Sequence, residues 1–180
     1  MAALPAGIAA VAVPTVLLGS LWGHVRRPGV LVAAVRAHGV VPAPLVRPVA
    51  ALAVAAEAVA GGWAAAGLLT GRDDSLRMCL ALAAVLLAAY ALYGAHVVRT
   101  RPRAVPCGCG GDAATPMTGW VAARAGALAG LALAGAAWGP PAARSPAESL
   151  IVIAMGVVVA VLLWCLPLAM AQERERSPAR

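Results

Sequence analysis

Two cysteines separated by a single glycine stand in a short polar stretch, Pro106-Cys107-Gly108-Cys109-Gly110-Gly111-Asp112, between two long apolar runs. Thiols this close can bridge only where the backbone bends sharply, because bonded Cα atoms lie within ~4.4–6.8 Å of each other. Gly108, Gly110 and Gly111 permit that bend, since glycine reaches positive φ without steric cost. A bridge closing so small a ring is strained, and strained, exposed disulfides are the ones that exchange. The stretch therefore points to thiol redox chemistry with Cys107 and Cys109 as the couple. Arg99, Arg101 and Arg103 precede it, and positive neighbours favour the thiolate. Two soft sulfur ligands also suit Cu(I) or Zn, with His96 as a third. A closed zinc site is not expected, because the loop lacks a second cysteine pair. The third reading is a tight turn with incidental cysteines in a non-catalytic membrane scaffold.

The chain around this loop is largely hydrocarbon. Of 180 residues 62% are hydrophobic, with a mean hydropathy of +0.87, well above the roughly half-apolar make-up of a soluble domain. The predicted fold class is all-α, a polytopic membrane helix bundle. All 14 positive side chains are arginine, and the net charge is +7. In a membrane protein that charge is counted loop by loop as a topology signal. No nucleic-acid motif accompanies it, and there is no phosphate-binding loop, dinucleotide fingerprint or Ser-His-Asp set. The first arginine, Arg26, follows the first apolar run, so that run is expected to stay in the membrane as a span.

A crossing of the ~30 Å core takes about 20 apolar residues. Five such spans are expected, at about 4–23, 49–69, 76–98, 119–138 and 150–171. Between the first two, residues 24–48 read as an interfacial helix and turn, ended by Val41-Pro42-Ala43-Pro44. The cysteine loop occupies 99–118. Residues 139–180 comprise a linker, the fifth span and a charged tail that frays. Five crossings put the first loop, the cysteine loop and the C-terminus on one side, with ten arginines against three opposite. The positive-inside rule then places the N-terminus outside and the loop at the cytoplasmic face of the plasma membrane. That placement conflicts with a simple oxidant in an oxidising compartment.

Four further groups lie within the spans. Glu57 falls roughly eight residues, about 12 Å, in from the loop side, and Arg124 roughly five, about 8 Å. A charge in hydrocarbon costs ~2.5–3.5 kcal/mol, so each is expected to face the bundle interior and to pair with the other. Tyr90, Tyr93 and His96 are expected to share a helix face, with His96 near the loop as a candidate proton relay, histidine being the side chain suited to that task near neutral pH. Of the remaining cysteines, Cys165 comes out near the loop side and is the candidate resolving thiol, whereas Cys79 falls at the far end of its span. A thiol in an apolar run otherwise packs as a small hydrophobe.

The order of these features resembles a known family. A membrane helix, a segment ending His38-Gly39-Val40-Val41-Pro42, a helix with Glu57 followed by glycines, the Cys107-Gly108-Cys109-Gly110-Gly111 loop and a helix bearing Arg124 look like the MauE family, related to DoxX-like four-helix membrane bundles. The resemblance covers residues 1–138 and leaves the fifth span as a C-terminal addition to a DoxX-like four-helix core. The family loop usually reads Cys-Gly-Cys-Phe-Gly, so Gly110 stands where the family carries an aromatic ring, and Ala125 follows Arg124 where the family has asparagine. The resemblance implies a redox-associated membrane protein that assists disulfide formation or maturation of an exported partner, such as methylamine dehydrogenase. The expected partners are the lipid bilayer and a thioredoxin-like or exported disulfide-containing protein, and the expected cofactor is a quinone or another membrane electron carrier, with the direction of electron flow left open.

Overall fold

The computed structural model describes residues 3–101, 105–111, 115–139 and 145–176. Arg103, Asp112 and Arg144 lie outside the described residues. The described residues form a bundle of six α-helices: α1 (Ala3–Arg26), α2 (Pro28–His38), α3 (Val46–Thr70), α4 (Asp73–Thr100), α5 (Gly119–Trp138) and α6 (Pro146–Arg176). All but α2 are long and apolar enough to cross a membrane. Among the described residues the one extended pairing is an isolated bridge between Pro106 and Pro116. This follows from the solvent: inside a bilayer every backbone N–H and C=O must be met within the segment, which a helix does and an open strand does not.

Helix α1 is the hub, packing against α3, α5 and α6 and touching α2 and α4. Its buried face carries Ala6, Ala9, Ala10 and Ala12, none more than 2% exposed. Small residues let neighbouring backbones approach closely, which is how helices associate when lipid and side chains are equally apolar. Val13 and Leu17 of α1 meet Leu80 and Leu87 of α4 and Leu128 of α5 in one core cluster, closed from the outside by Ala160 of α6. Helices α1, α3, α4 and α5 thus form the four-helix core, and α6 packs on it through α1 and α5.

Several helices begin earlier than hydropathy alone suggests, and their first turns show why. At α6, Ser145 Oγ accepts from the Glu148 N–H at 3.2 Å while Glu148 Oε2 accepts from the Ser145 N–H at 3.0 Å. This reciprocal capping box starts the helix at Pro146, several residues before the apolar run. Asp73 and Asp74 occupy the first turn of α4, where negative charge is favoured by the helix dipole. Helix α6 runs past the apolar span to Arg176, as the alternating Glu and Arg of the charged tail, both good helix formers, allow. Residues 24–48 hold the expected short helix: α1 continues to Arg26, and α2 buries Ala34, Val35 and His38 before Gly39 ends it with φ 60°.

Arg72 and Arg101 flank α4, so they should lie at opposite faces of the membrane. In a chain with Cys79 and Cys165 replaced by serine, Arg72→Cys and Arg101→Cys should label with a membrane-impermeant thiol reagent from opposite sides of sealed vesicles. Labelling of both from one side would overturn this topology.

Candidate functional site

The cysteine loop hangs between α4 and α5 and is closed at its base by two backbone bonds. The Cys107 N–H donates to the Thr115 carbonyl at 2.8 Å, and the Met117 N–H to the Val105 carbonyl at 2.7 Å. Within it Cys107 and Cys109 are joined by a disulfide, Cα to Cα 5.3 Å. Gly108, Gly110 and Gly111 all take positive φ, between 63° and 72°, the region that side-chain-bearing residues disfavour. The loop also lies backbone to backbone on the end of α1: a Cβ at Gly23 would overlap the Gly110 carbonyl, and one at Gly111 would overlap the Gly23 carbonyl. Gly23 therefore seats the loop.

From α2, the ring of His38 fastens the loop to the bundle. Nε2 lies 2.8 Å from the Pro106 carbonyl and Nδ1 3.0 Å from the Tyr93 hydroxyl. A carbonyl only accepts, so Nε2 carries the proton and Nδ1 accepts from Tyr93. The ring is 2% exposed. Burial holds its pKa below the usual histidine value, the nearby Arg101 charge lowers it further, and the bond to Pro106 opposes both. His38 is thus neutral in the physiological range and joins α2, α4 and the loop through one side chain.

Beneath the disulfide lies a cavity of about 300 Å³, mostly apolar, lined by Cys107, Cys109 and residues of α1 to α6. Its polar wall is formed by Ser20, His24, His38, Glu57, Tyr90, Tyr93 and Arg124. Ser20 Oγ is 3.3 Å from Glu57 Oε1 and 3.2 Å from His24 Nε2. As the hydroxyl donates to the carboxylate, it accepts from the His24 N–H. His24 Nε2 also stands 3.6 Å from Glu57 Oε2, with both side chains almost completely buried. On the far side, the Arg124 guanidinium lies over the ring of Trp164 of α6, 5.9 Å from its centroid.

This geometry corrects three expectations. Glu57 and Arg124 share the cavity but do not form an ion pair; Glu57 meets His24 and Ser20 of α1 instead. Depth along the membrane normal matches the two residues, but azimuth separates them, since α1 packs against both α3 and α5. His96 is exposed and lines neither cavity near the loop, so it stands apart from the cysteines both as a relay and as a third metal ligand. Steps of three residues fall short of a full turn by ~60° each, so His96 has rotated ~120° from the face of Tyr90. Among the described residues no group of three His, Cys, Asp or Glu could hold a metal ion. Finally, among the described residues the arginine that shares the sulfurs' surroundings is Arg124, whereas Arg99 is exposed and Arg101 reaches towards Gly39; Arg103 lies outside the described residues.

A second cavity, of about 200 Å³, adjoins the first and is lined by both loop cysteines, Arg124, Trp164 and Cys165. Cys165 is exposed there, while Cys79 is buried in the core cluster. Trp164 also fills the space beside Gly110, where a Cβ would come within 2.8 Å of its ring. Sequence reasoning assigns no role to the side chains of His24, His38 or Trp164. For His24 a signal exists in Ser20-x-x-x-His24, an i,i+4 pair of polar residues on an otherwise apolar helix.

The loop, its glycine seat and the polar wall can be set beside known proteins. The chain matches the model of methylamine utilisation protein MauE over residues 1–139. It belongs to the MauE family. No curated protein and no solved structure matches it significantly. The MauE match ends at the C-terminus of α5, so Trp164 and Cys165 are contributed to the site from a helix beyond the matched region.

Removing one partner from a buried polar pair strands the other, at ~1–3 kcal/mol. Glu57→Leu and His24→Leu should therefore each lower the melting temperature, with a coupling energy in the double variant larger than that between Glu57→Leu and Arg124→Leu; equal couplings would contradict the His24 pairing. His38 has a folded-state pKa below its unfolded value, so the stability it confers is complete above about 6.5 and is lost as pH falls from there. Protease protection of the loop should decline below that pH in the parent and stay flat in His38→Gln. A variant that keeps the parent's pH profile would contradict the assignment.

Proposed function

We propose that this chain is a membrane-embedded thiol–disulfide exchange protein, with Cys107 and Cys109 taking two electrons from the dithiol of a protein partner. The observation that carries the reading is the bridged pair itself, held in a glycine-built loop whose backbone is fixed at both ends and by His38. Cys107 is 3% exposed and Cys109 is half-buried, so the incoming thiolate attacks the Cys109 sulfur. The S–S bond breaks, Cys107 leaves as a thiolate, and a mixed disulfide joins Cys109 to the partner. The partner's second thiolate then attacks its own sulfur in that bond and releases Cys109. The partner ends oxidised and the loop reduced, with two electrons transferred.

Arg124, which shares both cavities with the two sulfurs, supplies the positive charge that favours the departing thiolate. The family's association with methylamine utilisation supports a role in maturing a disulfide-containing protein of that process. The arginine distribution supports a cytoplasmic loop, where the exchanging dithiol would belong to a thioredoxin-like protein. On the opposite side it would belong to the exported protein itself. Cys165, at the second cavity, is the resolving-thiol candidate on either side.

The asymmetry between the two sulfurs gives the test. On non-reducing gels of membranes, Cys107→Ser should accumulate a reducible adduct at Cys109, several-fold more than Cys109→Ser accumulates at Cys107. Cys79→Ser should behave as the parent. If alkylation with and without reductant reveals no reducible Cys107–Cys109 bond, and neither variant traps an adduct, the exchange reading is wrong.

A further inference from the structure

We propose that the cavity beneath Cys107 and Cys109 binds a lipid-soluble quinone, which re-oxidises the pair after each exchange. The inference rests on the exchange reading, since a dithiol left by one cycle must lose two electrons and two protons before the next. The structure adds where that oxidant would sit and what it must look like.

Three observations define the ligand. The cavity, about 300 Å³, lies at the lower end of the ~300–1,000 Å³ range of small-molecule sites, and such sites are apolar with a few placed polar groups. A single- or double-ring head group fits that size. Secondly, Val49 of α3 and Ala89 of α4 both line the cavity and are exposed, so a ligand in it can reach the bundle surface between these two helices. An apolar tail leaves by that route.

The third observation concerns hydrogen bonding. Glu57 Oε2 and His24 Nδ1 are buried and have no hydrogen-bond partner, and the two residues are only 3% and 4% exposed. With Nε2 donating to Ser20, Nδ1 of the neutral ring is an acceptor, as is the carboxylate oxygen. Buried polar atoms are nearly always paired, and an unpaired one calls for an explanation. The Tyr90 hydroxyl interacts with the Glu57 carboxylate, while His24 Nδ1 has no donor at all; an acceptor so placed fits a ligand that bears a hydroxyl group, which is what a quinone becomes when reduced. In its oxidised form the ligand needs a donor instead, and Arg124 lines the same cavity.

The step balances. Cys107 and Cys109 give up two thiol protons and two electrons as the S–S bond forms. The two carbonyl oxygens of the quinone take up both, becoming hydroquinone hydroxyls. No further reductant, oxidant or bulk proton enters.

The test uses the full-length chain in detergent, with decylubiquinone as the probe. The oxidised chain should bind it saturably at one per chain by calorimetry. The reduced parent should convert one equivalent to the quinol, seen by loss of quinone absorbance, with the disulfide re-formed. Ala53→Trp, which fills the cavity from α3, should weaken binding at least tenfold; Val35→Trp, from α2, serves if that variant does not fold. Absence of saturable binding to the folded parent would overturn the proposal even if Cys109 traps a partner, leaving the exchange reading intact. Binding without oxidation of the reduced pair would overturn it as well. Loss of trapping with quinone binding retained would instead remove the exchange reading on which it rests.

Discussion

The arrangement depends on a hydrogen bond from the His38 ring to the Pro106 carbonyl, 2.8 Å long, with the other ring nitrogen held by Tyr93. A loop of glycines and cysteines has little hydrophobic surface with which to anchor itself, and its conformational freedom opposes a single geometry. Two backbone bonds close its base, but they do not set its position over the bundle. His38 does, since one ring ties α2, α4 and the loop together. On the other side, the backbone contact of Gly23 with Gly110 and Gly111 brings the loop down on α1. A side chain at Gly23 or Gly111 would lift it from that seat.

Once the loop is seated, the polar groups below it are constrained by their solvent. Ionisable side chains among membrane helices are costly unless they face the interior and meet one another. The hub position of α1 determines who meets whom: its Ser20 and His24 reach Glu57 of α3 before anything from α5 can. Arg124 is left facing the ring of Trp164, an arrangement that accommodates a cation with little hydrogen bonding. The helix that supplies Trp164 lies beyond the MauE match, yet its ring stands against Gly110, the position where the family loop carries an aromatic residue. Here an aromatic ring reaches the loop from a different helix.

Much of this is legible in the sequence. Five apolar runs, a glycine-rich Cys-Gly-Cys loop and charges inside two spans are features that one-dimensional hydropathy and composition register directly. Helix starts are displaced because hydropathy reads the apolar run while helices are initiated by caps: Ser145 and Glu148 begin α6 on polar residues. Partner identity within the bundle is not legible, because depth is encoded along each helix whereas azimuth is decided by which helices touch. Glu57 illustrates the gap. Its depth matches Arg124, but its neighbour is a histidine at the end of α1, a helix whose hydropathy marks only a span. Arg77 shows the same limit in the loops: a topology charge by its place in the sequence, it donates to the carbonyls of Ala136 and Ala137 at the end of α5, where a cation meets the negative end of the helix dipole.

The two sulfurs therefore stand at a boundary with different chemistry on each side. Cys109 is the more exposed of the two, and Cys107 is buried between the loop's base and the cavity. A protein thiol has to approach along the line of the S–S bond, and exposure selects the sulfur it attacks. Anything dissolved in the bilayer arrives instead between helices, at the wall formed by His24, Glu57 and Arg124. Because these routes reach the pair from different directions, exchange with a protein and exchange with a membrane carrier need not compete for one surface. Under the proposed exchange, the loop's short reach is then an advantage: bound by His38 and by Gly23, it would pass electrons between the two routes without having to move.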